Sequence, residues 1–296
     1  MMKKVLIIVI AFLVVFVTGC ANNANSESDS IEVDLDSILV VDNGQLSEAE
    51  DLNYKNLISI KPQYFLSDAV KLEKQISVNN VECGLKYKDS LYYPIGCRTV
   101  HRYIVDGNEE NTLLIDEDGN IKSILYSYTT LNINGSASPA ELLEPLKAEL
   151  SKILDITYYK NVKLPNANQD ANGFGIYSYV FYNMIGNYMT DYLKVSISDD
   201  GSVFGLSINN SPLVDFKLSI DTKKENFAIE SKLKEIYNTD TTQYKSYNMA
   251  FDPCIVQYND QVYIQYILST NYLHTQYGEM SSYLNTILIP VDDISR

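Results

Sequence analysis

The spacing of apolar residues along the chain predicts three helices separated by runs of strands. A capping box from Ser138 to Glu141, with proline at the first helical position, precedes apolar residues that recur every three or four positions. A second box, Thr222 to Glu225, precedes a similar apolar stripe, and a shorter helix is predicted from Ser67 to about Ile76. The two longer stripes comprise Leu142, Leu146, Leu150 and Ile153 in the first helix, and Ile229, Leu233 and Ile236 in the second.

Strand-like alternation fills the intervals between these helices, and parts of it recur. LLIDEDGNIKSI (113–124) and VSISDDGSVFGL (195–206) each place Asp-Gly between two alternating apolar runs. This arrangement predicts a hairpin whose glycine needs a positive φ. LSKILD (150–155) and LKEIYN (233–238) are also alike, at nearly the same offset of roughly 80 residues. The chain is therefore interpreted as a repeat of one structural unit.

Three such units follow from the repeat, and they predict an α+β fold. Their boundaries fall at about 60–135, 136–212 and 213–296, and each helix is expected to cover a small antiparallel meander of its own. Residues 20–59 precede them as a tether and an acidic N-terminal segment. Its small polar start, ANNANSESDSI, predicts a flexible linker, and IEVDLDSILVV (32–42) predicts a strand or a docking segment.

The first residues have the pattern of an export signal. Lys3 and Lys4 precede thirteen apolar residues, 5–17, which as a helix would span about 20 Å and fall short of the hydrocarbon core of a bilayer. We therefore predict a cleavable signal over residues 1–19. An N-terminal anchor helix that happens to contain a cysteine remains the alternative, as does an ordinary secretory signal.

The end of this segment resembles a known processing motif. Val17-Thr18-Gly19-Cys20 resembles the lipobox of bacterial lipoproteins. The resemblance implies that Cys20 becomes the mature N-terminus and carries two or three acyl chains, palmitate among the expected ones. Two chains hold a protein stably on a bilayer, whereas one does not. The expected location is the extracytoplasmic face of the cell membrane, with the membrane as a partner through the lipid anchor.

The helix-then-meander unit also resembles a family. With its D-x-G hairpin it resembles PepSY-like extracytoplasmic domains, and also the repeats of membrane-tethered regulators of bacterial sensor kinases. The resemblance covers most of residues 60–296 and depends on pattern alone, so it implies no functional residues.

Charge and composition narrow the classes of partner. The formal charge of −15 becomes −17 once Lys3 and Lys4 leave with the signal. Such a chain is repelled by nucleic acid and by an anionic membrane surface. We therefore expect a protein partner in the envelope and no nucleic acid. The 24 tyrosines are typical of half-buried sheet faces, although an exposed aromatic platform is the alternative.

Three cysteines follow Cys20 in the sequence. Cys83 and Cys97 flank a strand-like run, so a hairpin disulfide between them is one prediction, and two reduced thiols are the other. Cys254 is then left over and is expected to be a buried apolar residue. A metal site is disfavoured because the sequence has no CxxC or HxxxH spacing.

The sequence offers little for catalysis, and no cofactor is expected. It contains no GxSxG, HExxH, P-loop or GxGxxG motif. The two histidines, His101 in a strand-like run and His274 in a predicted loop, are expected to be structural. The DEDGN run at residues 116–120 has its glycine too early for an EF-hand and is interpreted as a hairpin turn.

These observations favour a lipid-anchored extracytoplasmic binding or regulatory protein without catalytic activity. The alternative is a substrate-binding lipoprotein of a transporter, although such proteins usually alternate strands and helices to give parallel sheets. An envelope hydrolase using a pair of carboxylates is a third hypothesis, since the chain has 38 acidic residues.

Overall fold

The structure is a computed structural model that describes residues 31–42, 52–132, 138–165, 176–198, 200–209 and 218–295. The predicted signal, Cys20 and nearly all of the predicted linker lie outside these residues. The described residues from Val33 onward make one compact unit.

Strands dominate the described chain. The sixteen strands are β1 Leu39–Asp42, β2 Leu57–Ser59, β3 Gln63–Phe65, β4 Glu73–Val78, β5 Val81–Tyr93, β6 Arg98–Val105, β7 Asn108–Asp116, β8 Ile121–Thr130, β9 Asn161–Lys163, β10 Ile176–Ile185, β11 Tyr188–Ser198, β12 Ser202–Asn209, β13 Thr242–Met249, β14 Cys254–Tyr258, β15 Gln261–His274 and β16 Gly278–Pro290. The helices are α1 Pro139–Leu150, α2 Thr222–Tyr237, α3 Val291–Ile294 and a 3₁₀ turn at Ile156–Tyr158.

All sixteen strands belong to one hydrogen-bonded sheet, so the predicted fold class is wrong. The order is β2-β1-β16-β15-β14-β11-β12-β8-β7-β6-β5-β3, with β4, β9, β10 and β13 pairing off this path. The sheet is mixed, because β1 and β2 are parallel and β11 meets β14 in parallel through a single residue pair. The three predicted units therefore share one sheet instead of each building a small one. β12 pairs with β8 across the boundary predicted at residue 136.

Helix α1 covers the first region of this sheet, made by β3 to β12. Its residues Leu142, Leu146 and Leu150 are buried against the strands, as the apolar spacing predicted. The Tyr179 hydroxyl of β10 donates a hydrogen bond of 2.7 Å to the Pro139 carbonyl, which fixes the start of the helix over the sheet.

Helix α2 covers the second region, made by β1, β2 and β13 to β16. Ile229, Leu233 and Ile236 face a separate apolar core, again as predicted. Strand β1 lies inside this region, between β16 and β2. The fully buried Lys232 of α2 donates a hydrogen bond of 3.1 Å to the Leu35 carbonyl just before β1. Residues 33–40 of the predicted N-terminal segment are therefore part of the core.

Two of the predicted helix starts need correction. The helix predicted from Ser67 to Ile76 is absent, because Glu73–Val78 pairs with β5 as strand β4. The N-terminal cap of α2 is Asp221, whose carboxylate accepts hydrogen bonds from the backbone N–H groups of Lys223 and Lys224. Thr222 is therefore the first helical residue instead of the cap.

The predicted capping box of α1 and the predicted glycines of two hairpin turns are confirmed. At the start of α1 the Glu141 carboxylate accepts the backbone N–H of Ser138 at 2.8 Å, as the capping box requires. Gly119 between β7 and β8 has a φ of 89°, and Gly201 between β11 and β12 has a φ of 85°. Asp199 in the second turn lies outside the described residues.

A buried carboxylate joins the two regions of the sheet. Glu225 of α2 accepts hydrogen bonds from the hydroxyls of Tyr188 in β11, at 2.9 Å, and Tyr266 in β15, at 2.7 Å. Burial raises the pKa of both tyrosines, so both remain donors at neutral pH. The regions are also joined by the Gly96 N–H, which donates to the Gln257 carbonyl at 2.7 Å.

None of the described helices is long and apolar enough to cross a lipid bilayer.

Replacing Glu225 with glutamine should destabilise the fold, since the neutral amide is a weaker acceptor for two buried hydroxyls. We expect the free energy of unfolding to fall by about 1–3 kcal/mol, measured by urea denaturation. Glu230→Gln is the matched control, because Glu230 lies on the exposed side of α2 and forms an ion pair with the equally exposed Lys234. Equal stability of the two variants would contradict the proposed link between the regions.

Candidate functional site

Strand β6 carries two arginines on one face. Alternation along a strand places Arg98, Val100 and Arg102 on the same side. Val100 between them is 1% exposed and packs with Leu91 and Leu114 in a small apolar cluster. The two charged side chains therefore lie at the margins of an apolar patch of the sheet.

Arg102 is neutralised within the protein. Its Nε donates to Asp89 on the neighbouring strand at 2.8 Å, and its Nη2 donates to the second oxygen of the same carboxylate. The hydrogen bonds to Asp89 raise the pKa of Arg102. The guanidinium also lies 5.3 Å from the centre of the Tyr64 ring. This arrangement is a bidentate ion pair with an aromatic side chain over it.

Arg98 has no such counter-ion. Its guanidinium lies 5.3 Å from the centre of the Tyr93 ring, and Nη1 donates to the Ile208 carbonyl at 3.1 Å. Its Nε is buried without a hydrogen-bond partner, and no carboxylate of the described residues pairs with it. Burial lowers the pKa of the guanidinium. We call Tyr64, Asp89, Tyr93, Arg98 and Arg102 the Tyr–Arg face.

Among the described residues, the Tyr–Arg face adjoins an edge of the sheet that no further strand covers. β3 pairs with β5 on one side and is the last strand of the order there. The exposed fractions of Tyr64, Phe65 and Leu66 are 61%, 42% and 78%. A strand edge with exposed apolar side chains is a template for pairing with another chain unless something covers it.

A serine and a histidine also meet in this region, on the opposite face. The Ser90 hydroxyl is 2.8 Å from His101 Nδ1 and 2.7 Å from the Tyr87 hydroxyl. Ser90 is 0% exposed, so a substrate has no access to its oxygen. Burial lowers the pKa of His101. We interpret this chain of hydrogen bonds as structural, as predicted for His101.

His274 lies at the end of β15, and its Nδ1 accepts the N–H of Gln276 at 3.0 Å and that of Tyr277 at 3.3 Å. It caps a turn, which is a structural role. Asp116 likewise accepts the Asn120 N–H at 2.7 Å in the turn after β7, so the predicted hairpin is present there.

The structure does not bring Cys83 and Cys97 together. Cys83 lies near the start of β5 and Cys97 in the turn after its end, and both are free thiols, as is Cys254. Ten strand residues at about 3.3 Å each separate Cys83 from the end of β5, which is far beyond the reach of a disulfide. Cys254, predicted to be buried, is only partly buried. Desolvation nevertheless raises the pKa of its thiol to about 11, which keeps the thiol protonated at neutral pH.

An open depression of about 440 Å³ lies at the C-terminal end of α2. Its lining is mainly polar, from residues between Asn238 and Gln243 together with Leu273 and Thr275. Within the part of the chain that the structure describes, no three His, Cys, Asp or Glu residues are grouped to hold a metal ion.

Sequence reasoning missed the Tyr–Arg face. The signal was present in RTVHR (98–102), which places two arginines four residues apart on a strand, and hence on one side. The partner Asp89 and the rings of Tyr64 and Tyr93 come from other strands, and their positions depend on pairing that the sequence alone does not reveal.

Comparison with family models, curated proteins and solved structures finds no match to this chain.

The turn at Asp116 gives a pH-dependent prediction. Burial alone would raise the pKa of Asp116, but hydrogen bonds from Asn120 and Lys122 outweigh it and lower the pKa below the ordinary 3.8. A carboxylate whose pKa is lower in the folded chain than in the unfolded chain stabilises the fold at pH values above its unfolded pKa. This stabilisation is lost as the pH falls through the folded pKa.

Asp116→Asn should therefore cost about 1 kcal/mol of unfolding free energy at pH 7. The difference from the native chain should shrink as the pH falls below about 3.8. Chemical denaturation at several pH values measures this. Asp118→Asn is the control, since Asp118 is exposed in the same turn. A difference independent of pH would argue against the assigned role of the carboxylate.

Proposed function

We propose that this chain is a lipid-anchored extracytoplasmic binding or regulatory protein without catalytic activity. It contacts a protein partner of the envelope or membrane through the free edge of β3 and the adjoining Tyr–Arg face. The observation that carries the proposal is the exposure of three consecutive large side chains, Tyr64 and Phe65 on the terminal strand β3 and Leu66 directly after it.

The chemistry of this surface suits protein recognition. Tyrosine and arginine are enriched where binding energy concentrates in protein interfaces, because each offers a large apolar area and a polar tip. Here Tyr64 connects the two parts of the surface, since its ring lies over Arg102 while its backbone belongs to the free edge. An extended segment of a partner could pair with β3 through its backbone and cover Phe65 and Leu66 with its side chains.

The charge of the chain supports a protein partner over a lipid one. A formal charge of −15 opposes flat contact with an anionic membrane surface. Acylation at Cys20, followed by the small polar linker that begins at Ala21, would hold the protein at the membrane without such contact.

The surface predicts a specific loss of binding. In cells, the double variant Phe65→Asp with Leu66→Asp should recover the partner at least about tenfold less than the native chain, because charges replace the apolar contacts. Crosslinking, solubilisation and affinity capture with quantitative mass spectrometry measure the recovery.

Phe227→Asp is the matched control, since Phe227 is 41% exposed and lies on α2, which covers the other region of the sheet. Thermal melts of each variant establish that it folds. The proposal fails if the native chain recovers no protein under crosslinking, or if the Phe65/Leu66 and Phe227 variants behave alike.

The anchor is tested separately. Intact-protein mass spectrometry should show a mature chain that begins at Cys20 and carries two or three acyl chains. Cys20→Ala should leave the leader attached and remove the added lipid mass. An unmodified Cys20 in the native chain would refute the anchor while leaving the binding surface untouched.

A further inference from the structure

We propose that the depression at the C-terminal end of α2 is a binding site for a neutral saccharide. The residues that line it come from the loop after α2, the start of β13 and the end of β15: Asn238, Thr239, Asp240, Thr242, Gln243, Leu273 and Thr275. The lining contains no residue of β3 or of the Tyr–Arg face, so this inference is independent of the proposed function.

The size and shape of the depression suit one unit of a sugar chain. Its volume of about 440 Å³ lies within the range of about 300–1,000 Å³ that is typical of ligand sites. Because the depression is open to solvent, a sugar unit can lie in it while the rest of a chain continues outside.

Hydrogen bonds fix the walls of the depression in place. The hydroxyl oxygen of Thr239 accepts the backbone N–H groups of Thr241 and Thr242, each at 3.2 Å. The N–H of Thr275 donates to the Thr241 carbonyl at 2.8 Å and so joins the loop after α2 to the end of β15. A site that is already formed loses little conformational entropy when a ligand binds.

Internal hydrogen bonds also determine which polar atoms remain for a ligand. The side-chain oxygen of Asn238 accepts the Tyr244 N–H at 2.9 Å, and that of Gln243 accepts from the Lys245 ammonium at 3.0 Å. The NH₂ groups of both amides therefore remain as donors. Asp240 is exposed at the tip of the loop, and its carboxylate makes no hydrogen bond or ion pair with the described residues, so it remains as an acceptor.

This combination of donors and an acceptor selects a ligand with hydroxyl groups. An ammonium group has no lone pair for the amide N–H groups, and a carboxylate or phosphate has no proton for Asp240. A hydroxyl accepts from the amides and donates to the carboxylate. Anions are opposed further by the negative end of the α2 dipole and by the formal charge of −15.

Leu273 adds an apolar contact that favours a saccharide over a simple alcohol. Its side chain is 36% exposed, and it is the cross-strand partner of Gln243. A sugar ring has C–H groups on its faces and hydroxyls around its edge. The ring can therefore pack on Leu273 while adjacent hydroxyls bind the amides and the carboxylate.

Saturation-transfer difference NMR on the native chain tests the site directly. The probes are maltotriose, cellotriose and triacetylchitotriose, with glucose and N-acetylglucosamine as the corresponding single units. We expect at least one of these sugars to bind. A trisaccharide that binds about fivefold tighter than its single unit supports a sugar chain as the ligand, and equal affinities support a free sugar.

Two variants locate the binding. Asp240→Ala should lower the affinity about tenfold, because a charged acceptor is lost, and Gln243→Ala should lower it about threefold. Asp118→Ala is the matched control, since Asp118 is exposed in the turn between β7 and β8, and its affinity should stay within about twofold of native. Thermal melts establish that each variant folds.

The proposal is overturned if none of the sugars binds, if both Asp240→Ala and Gln243→Ala retain native affinity, or if the control loses as much as they do. The double variant Phe65→Asp with Leu66→Asp should bind sugars as the native chain does. Failure at the depression and failure at β3 are therefore observed separately.

Discussion

A single buried carboxylate links the two parts of the sheet through tyrosine hydroxyls from both. Glu225 is almost fully buried, and its Oε1 accepts a hydroxyl from each region, Tyr188 from β11 and Tyr266 from β15. The β11–β14 pairing that joins the regions is one residue pair long. Because backbone pairing at the junction is so short, the two hydrogen bonds to Glu225 add a second link between the regions.

Local features of the fold could be predicted from the sequence because neighbouring residues determine them. The capping box at Ser138, the stripe that contains Leu146 and the turn at Gly119 each depend on a few consecutive positions. The N-terminal cap of α2 was misplaced by one residue because Asp221 and Thr222 are both good caps, and the sequence alone does not choose between them. Glu225, expected at that cap, is instead a core residue.

The pairing of distant strands could not be predicted. An apolar repeat of helix and strands is compatible with separate small sheets or with one large sheet, and only contacts such as β12 with β8 distinguish them. The predicted helix at residues 67–76 failed for the same reason, since pairing of β4 with β5 outweighs local helix propensity. The Tyr–Arg face shares this limit: Arg98 and Arg102 were visible as a pattern, but the presence of Asp89 beside one and not the other depends on strand register.

The interior position of β1 has a consequence for the order of folding. Leu39 pairs with Leu288 and Val40 with Ile287, so one of the first structured segments waits for one of the last. Whether the polypeptide emerges from a ribosome or from a translocation channel, nearly its whole length must emerge before β1 can pair with β16. Closing so long a loop is slow, and the apolar side chains of Val40 and Val41 stay exposed to solvent until it closes. Pairing of β1 with β16 is therefore a late step of folding. A C-terminal truncation that removes β16 should leave the nascent chain dependent on chaperones.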